Sequence, residues 1–76
     1  MKIEILGTGC PKCRQLEKNV NDAVTETGIT AEVVKITKIN EIMGYGVMVT
    51  PALVIDGKII STGKVIGTDD IKKLIT

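Results

Sequence analysis

The sequence contains no histidine, phenylalanine or tryptophan, and Tyr45 is its only aromatic residue. The hydrophobic core must therefore consist of aliphatic side chains, chiefly isoleucine and valine. With 76 residues, the chain is expected to form one small domain, residues 1–76, that buries only about 60% of its unfolded surface. Because the chain has no histidine and only two cysteines, a single copy cannot build a closed four-ligand zinc site.

An excess of charge of one sign is also absent. Ten basic and nine acidic residues give a net charge of +1, and the basic residues are scattered, whereas nucleic-acid binding requires concentrated positive charge. No stretch approaches the about 20 apolar residues of a membrane span. The N-terminus is too short and too interrupted by charge for a signal peptide. We therefore expect a soluble cytoplasmic protein with no nucleic-acid and no membrane partner.

The two cysteines lie in one short run, Cys10-Pro11-Lys12-Cys13. In a reducing cytosol, such a pair is more often catalytic, redox-sensing or metal-binding than structural. A disulfide that closes only this loop would remove about 2 kcal/mol of chain entropy, against about 3 kcal/mol for a loop of about 15 residues. A purely stabilising role is therefore disfavoured.

Hydrophobic periodicity predicts an α/β chain with the element order β-α-β-α-β-β-α. The first β-α-β unit must be parallel and right-handed. Asp56-Gly57 predicts an antiparallel hairpin, and Thr68 is expected to cap the last helix. A four-stranded mixed sheet with helices on both faces meets these demands. The predicted strands span 2–6, 32–36, 52–55 and 58–61, and the predicted helices span 11–27, 38–43 and the residues from 68 onward.

The position of the cysteine pair at a helix start suits thiol chemistry. Cys10 lies where unpaired N–H groups and the helix dipole favour an anion, so its pKa is expected to fall below the about 8.5 of a free thiol. Pro11 suits the first helical position, and Lys12 adds a nearby cation. Cys13 lies on the apolar stripe of the helix, and its shielding suits it to resolve a mixed disulfide.

Two further motifs, together with the cysteine pair, indicate a resemblance to a known family. Together with Gly9 and the cysteine pair, the Thr50-Pro51 entry to a strand and the hairpin at Asp56-Gly57 resemble the thioredoxin/glutaredoxin superfamily. More narrowly, the chain resembles the small prokaryotic redox-active disulfide (thioredoxin-like) proteins. This resemblance implies a thioredoxin fold, with Cys10 as the attacking thiol and Cys13 as the resolving thiol. It also implies a cis peptide bond before Pro51, with the Thr50 backbone available to pair with an extended substrate segment.

Departures from the family pattern bear on the partners. Glutaredoxins usually carry a Gly-Gly and an Asp near the last helix that hold glutathione, whereas Ile66-Gly67-Thr68-Asp69 contains a single glycine. This argues against glutathione and favours exchange with protein disulfides, with an unidentified reductase restoring the dithiol. No cofactor and no metal are expected, and the protein is expected to be a monomer.

Glu4 lies six residues before Cys10, where thioredoxins commonly carry a buried acidic residue that assists proton transfer to the resolving thiol. The residues themselves favour instead a solvated glutamate near the start of its strand. Tyr45 is expected to serve mainly in packing, although the rim of the site is the other location open to it. Met43 and Met48 are expected to fill the core.

The residues therefore favour a thiol–disulfide oxidoreductase that cycles Cys10 and Cys13 between dithiol and disulfide. The main alternative is a soft-metal carrier for copper or zinc. Heavy-metal-associated domains also place Cys-x-x-Cys after their first strand, but they run β-α-β-β-α-β and end on a strand. A third hypothesis is an interaction module whose disulfide senses redox state.

Overall fold

A four-stranded mixed sheet forms the centre of the structure, a computed structural model that describes residues 1–9 and 11–76. The strands lie in the order β2-β1-β3-β4. β1 pairs in parallel with β2 and antiparallel with β3, and β3 pairs antiparallel with β4. The predicted mixed sheet is therefore confirmed. The strands are β1 (Lys2–Leu6), β2 (Glu32–Ile36), β3 (Ala52–Ile55) and β4 (Lys58–Thr62).

Three helices complete the predicted element order: α1 (Pro11–Thr27), α2 (Ile39–Gly44) and α3 (Thr68–Ile75). α1 and α3 pack against one another on one face of the sheet, and α2 lies against the other face. Among the described residues, no helix is both long and apolar enough to cross a membrane.

The alternation of side chains along the central strands divides the core in two. Ile3 and Ile5 of β1 point toward α1 and α3, and Glu4 and Leu6 point toward α2, as the alternation predicts. The larger cluster consists of Ile3, Ile5, Leu16, Val20, Ala23, Leu53, Ile55, Ile71 and Ile75. The smaller cluster consists of Leu6, Ile42, Val47, Ala52 and Val54.

The predicted hairpin is present between β3 and β4. Asp56 has φ 50° and Gly57 has φ 82°, and positive φ at both central residues is the requirement of a type I′ turn. The Asp56 carboxylate also accepts a hydrogen bond of 2.8 Å from the backbone N–H of Lys2. This bond ties the turn to the start of the central strand.

One detail of the helices differs from the predictions, and two others show how the helices pack. Thr68 is the first residue of α3 rather than its cap, because Gly67 occupies the N-cap position with no side-chain hydrogen bond. Leu74 is 46% exposed, since α3 buries only Ile71 and Ile75 against its neighbours. Asn19 of α1 donates a hydrogen bond of 2.9 Å to the carbonyl of Ile66 and so ties α1 to the segment before α3.

Candidate active site

Cys13 lies near the start of α1 on its buried side. The helix begins at Pro11, so Cys13 shares the face of Leu16 and Val20 that packs on the sheet. Its side chain is only 5% exposed, as the apolar stripe predicts. Cys10 lies outside the described residues, and its lowered pKa stays a prediction.

Gly7, directly after β1, makes room for the sulfur of Cys13. A Cβ atom on Gly7 would lie 2.3 Å from Cys13 Sγ, far inside van der Waals contact, and 4.0 Å from Cα of Pro51. The backbone of Gly7 is held in place by a hydrogen bond of 2.9 Å from its N–H to the carbonyl of Ile36. Cys13 and Pro51 therefore both approach one fixed glycine.

The segment before β3 contains the predicted cis peptide bond between Thr50 and Pro51. Pro51 is fully buried, and Thr50 is partly exposed. The Pro51 carbonyl accepts a hydrogen bond of 2.8 Å from the N–H of Gly63. Val49 packs on the same glycine, where a Cβ atom would lie 2.7 Å from Val49 Cγ1. The loop after β4 thus holds the segment at Pro51 from the side.

Pro11 and Lys12, the two residues between the cysteines, are both exposed. Pro11 occupies the first position of α1, as predicted, where its missing N–H leaves no helical hydrogen bond unmade. The side chain of Lys12 is available to a partner in solution. Its expected effect on the thiol of Cys10 stays a prediction.

Glu4 is buried in the middle of the central strand, with 5% of its surface exposed. The solvated alternative is therefore wrong. The hydroxyl of Tyr45, at the end of α2, donates a hydrogen bond to Glu4 Oε2. Such a partner offsets much of the cost of burying a carboxylate. Glu4 and Tyr45 are separated by 41 positions in the chain, and sequence reasoning did not pair them.

The same hydrogen bond raises the pKa of Tyr45 above its ordinary value of 10.0. The hydrogen bond to Glu4 is the main cause, followed by desolvation and by the negative charges of Glu4 and Glu41. Each of these effects disfavours the phenolate. Tyr45 is therefore a firmly protonated donor at neutral pH rather than simply a packing residue.

An apolar groove of about 360 Å³ runs between α2 and the segment before β3. Met43 is 66% exposed and Met48 is 96% exposed, so the prediction that both fill the core is wrong. No described element covers the outer side of α2, and only Ile42 of that helix is buried. The apolar groove is lined by Thr8, Ile39, Ile42, Met43, Val47, Met48 and Thr50.

The described residues offer little to a metal ion. Within residues 1–9 and 11–76, no group of three or more His, Cys, Asp or Glu side chains lies close enough to hold one. The element order also ends on α3 rather than on a strand. It therefore differs from the arrangement expected of a heavy-metal-associated domain.

Comparison with known proteins agrees with this geometry. A family model described as a thioredoxin domain matches residues 1–76. The chain is 43% identical over 76 residues to a thioredoxin of Methanothermobacter thermautotrophicus, covering 100% of this chain and 99% of that protein. It is 49% identical over 71 residues to a thioredoxin of Methanocaldococcus jannaschii, covering 93% of this chain and 81% of that protein.

The fold is accordingly a thioredoxin fold, and the class of protein that it defines is a disulfide oxidoreductase. The chain belongs to the thioredoxin family. The resemblance carried by the cysteine pair, Thr50-Pro51 and the hairpin at Asp56-Gly57 is confirmed at the level of the family.

Gly7 and the contact of Tyr45 were not found from the sequence. The place of Gly7 directly after β1, beside the cysteine run, was the available signal. Tyr45, the only aromatic side chain in the chain, was considered for packing or for the rim of the site. Its partner could not have been identified, because that depends on how α2 packs on the sheet.

Proposed function

We propose that this protein is a thiol–disulfide oxidoreductase that cycles Cys10 and Cys13 against disulfides of protein partners. The thiolate of Cys10 attacks a substrate disulfide, a mixed disulfide forms, and Cys13 resolves it. The observation that carries this division of labour is the burial of Cys13 against Gly7. A shielded sulfur can attack a neighbouring mixed disulfide but meets few large substrates directly.

The apolar groove supports protein rather than small-molecule substrates. It begins at Thr50, whose backbone we propose to pair with an extended substrate segment, and continues across Ile39, Met43 and Met48. Exposed apolar surface of this kind is typical of a docking site. Methionine side chains adapt to partners of different shape. The occupant that we propose is the extended segment flanking a substrate disulfide.

The remaining assignments follow from this role. We propose that residues 1–76 act as a single domain, as a monomer in the cytoplasm, with no cofactor and without glutathione. Pro11 and Lys12 would favour the thiolate of Cys10, and the buried Pro51 would keep the backbone of Thr50 in position for the substrate. We further propose that Glu4 influences proton transfer to Cys13 across the sheet, since the Glu4 side chain lies on the α2 side and Cys13 lies on the α1 side. Its bond to Tyr45 supports a buried, fixed carboxylate there.

A test of the apolar groove compares protein and small substrates. Replacing Ile39 and Met43 by Gln removes apolar contact with the substrate. KM for a protein disulfide should therefore rise about tenfold, which corresponds to about 1.4 kcal/mol of lost binding free energy. The rate with a small disulfide such as hydroxyethyl disulfide should stay unchanged. Initial rates of disulfide reduction measure both.

Leu74→Gln provides the matched control. Leu74 is also an exposed apolar helix residue, but it belongs to α3 on the opposite face of the sheet. This variant should behave like the wild type with both substrates. An equal loss with the protein and the small disulfide in the Ile39/Met43 variant would contradict substrate docking in the groove.

A further inference from the structure

Two methionines lie on the rim of the apolar groove. Each follows, in the chain, a buried residue that also lines the groove: Met43 follows Ile42, and Met48 follows Val47. Ile42 and Val47 are each 4% exposed, so they form the floor of the groove. The methionine side chains are instead largely exposed. Their thioether groups are therefore accessible to small reagents in solution.

The third methionine of the chain lies elsewhere. Met1 precedes β1, whereas Thr8, which lines the apolar groove, lies beyond the opposite end of that strand. Met1 is 44% exposed and thus less accessible than Met43 and Met48. The two most exposed methionines of the protein are therefore the two in the groove.

Oxidation would change the character of this surface. A peroxide converts a methionine thioether into a sulfoxide, and a flexible apolar side chain becomes a polar one. Apart from Thr8 and Thr50, the described residues that line the groove carry apolar side chains. A sulfoxide oxygen would find few hydrogen-bond donors there once a docked segment had displaced the water, and burying an unpaired polar group is unfavourable.

We propose that Met43 and Met48 are sites of oxidative modification, at which a peroxide weakens the docking of protein substrates while the cysteine chemistry is preserved. The inference rests on the proposed function, because it concerns the groove that we assign to substrate docking. Met48 lies two residues before Thr50, whose backbone is proposed to pair with the substrate. A sulfoxide at this position would lie beside the docked segment.

The proposed step transfers one oxygen atom from hydrogen peroxide to each sulfur. The thioether sulfur attacks one peroxide oxygen, an S–O bond forms and the O–O bond breaks. The second oxygen leaves as water after it takes up the proton of the transferred oxygen. The sulfur loses two electrons and the peroxide gains them, so no further reductant or oxidant takes part.

The first experiment measures which methionines are oxidised. The protein is treated with hydrogen peroxide in its disulfide form, so that no thiol consumes the reagent, and peptide mapping by mass spectrometry follows each sulfoxide with time. Met48 should react first, then Met43 and then Met1, because they are 96%, 66% and 44% exposed. Oxidation of Met1 ahead of both groove methionines would overturn the assignment.

The second experiment measures the consequence for activity. Insulin serves as the protein disulfide and hydroxyethyl disulfide as the small one, and each protein is compared with its own untreated sample. Peroxide treatment of the wild type should raise KM for insulin about fivefold, since apolar contact is lost. The rate with the small disulfide and the free energy of unfolding should stay unchanged, because both modified side chains are already exposed in the free protein.

The double substitution Met43→Leu/Met48→Leu is the matched control. Leucine is apolar and of similar volume but has no sulfur to oxidise, and Met1 is then the only methionine left. Whatever the KM of this variant for insulin, peroxide treatment should not change it. A rise as large as that of the wild type would place the effect outside the groove and overturn the proposal.

The Ile39/Met43 glutamine variant separates failure of this inference from failure of the proposed function. If that variant has a raised KM for insulin, but oxidation of both groove methionines leaves the wild-type KM unchanged, only this inference fails. If neither change alters KM, docking in the apolar groove fails with it. If the wild type reduces no disulfide at all, the proposed function itself fails.

Discussion

At the scale of single residues, the site depends on two close contacts that bring distant parts of the chain together. Gly7 lies against the sulfur of Cys13, and Tyr45 donates a hydrogen bond to the buried Glu4. Glu4 lies in the central strand β1, and Gly7 is the residue that follows β1. Small changes at these positions should therefore affect the site more than their size suggests.

Gly7→Ala is expected to disturb Cys13 directly. The added Cβ would lie 2.3 Å from Cys13 Sγ and 3.1 Å from Cys13 Cβ, so the Cys13 side chain or the start of α1 must shift. Overpacking of this kind costs about 1–3 kcal/mol. We expect a lower free energy of unfolding in chemical denaturation and slower resolution of mixed disulfides.

Gly44→Ala is the matched control for this substitution. A Cβ atom on Gly44 meets nothing within 4 Å, and alanine favours a helix over glycine by about 1 kcal/mol. This variant should be as stable as the wild type or slightly more stable. A Gly7→Ala protein with wild-type stability and wild-type resolution would contradict the close contact.

The titration of Tyr45 tests its bond to Glu4. The pKa of Tyr45 is raised above 10.0 by that bond, and the chain has no other tyrosine and no tryptophan. Ultraviolet absorbance of the phenolate therefore reports this residue alone. The apparent pKa should lie above 10.0 in the folded protein and return to about 10 in denaturant.

The raised pKa also gives stability a pH dependence of known sign. Because the folded state holds the proton more tightly than the unfolded state, the contribution is complete below pH 10 and is lost as pH rises through the folded pKa. Tyr45→Phe should lack this loss. It should also be less stable at neutral pH by about 1–3 kcal/mol, since Glu4 stays buried without its donor. An unshifted pKa in the folded protein would contradict the bond.

At the scale of elements, the helices on the two faces of the sheet differ in how much of their apolar surface is buried by neighbouring elements. α1 and α3 cover one another and bury most of their apolar residues. α2 is a short helix that buries only Ile42. Its uncovered side forms the apolar groove. We infer that α2 serves substrate docking more than stability.

α3 offers a stabilising substitution that leaves the site untouched. Gly67 occupies its N-cap with φ −69° and ψ 156°, which any residue adopts, and no side chain caps the helix. Gly67→Ser would supply an acceptor for the first helical N–H groups and would restrict the unfolded chain. The free energy of unfolding should rise by about 0.5–1 kcal/mol in denaturant titrations.

Gly28→Ser is the matched control, because the same substitution should destabilise the protein at this position. Gly28 follows α1 with φ 68°, a left-handed conformation that costs a serine about 1 kcal/mol. This variant should be less stable than the wild type. Stabilisation by Gly28→Ser, or destabilisation by Gly67→Ser, would contradict the backbone geometry at these two helix ends.

At the scale of the whole molecule, the architecture was largely predictable. The first β-α-β unit predicted the parallel pairing of β1 with β2, and the Asp56-Gly57 turn predicted the antiparallel pairing of β3 with β4, because each is a local pattern with few structural outcomes. The exposure of Met43 and Met48 was not predictable. An apolar residue on a helix is buried only if another element covers it, and none of the described elements covers this side of α2.

The site was predictable where a motif carried the information and unpredictable where packing did. Thr50-Pro51 and the burial of Cys13 followed from the resemblance and the helical stripe. The burial of Glu4 was left open, because one charged residue in a strand fits both a solvated and a buried position. Its partner Tyr45, 41 positions away, depends on the way α2 packs across the sheet.

The central claim is that Cys10 attacks and Cys13 resolves, and single-cysteine variants test it most directly. With a protein disulfide substrate, Cys13→Ser should accumulate a mixed disulfide at Cys10 that a reductant releases. Cys10→Ser should trap at least tenfold less, because Cys13 is only 5% exposed. Non-reducing gels followed by peptide mapping give both yields. Equal loss of tight copper or zinc binding in the two variants, with no mixed disulfide in Cys13→Ser, would contradict the account in favour of a metal carrier.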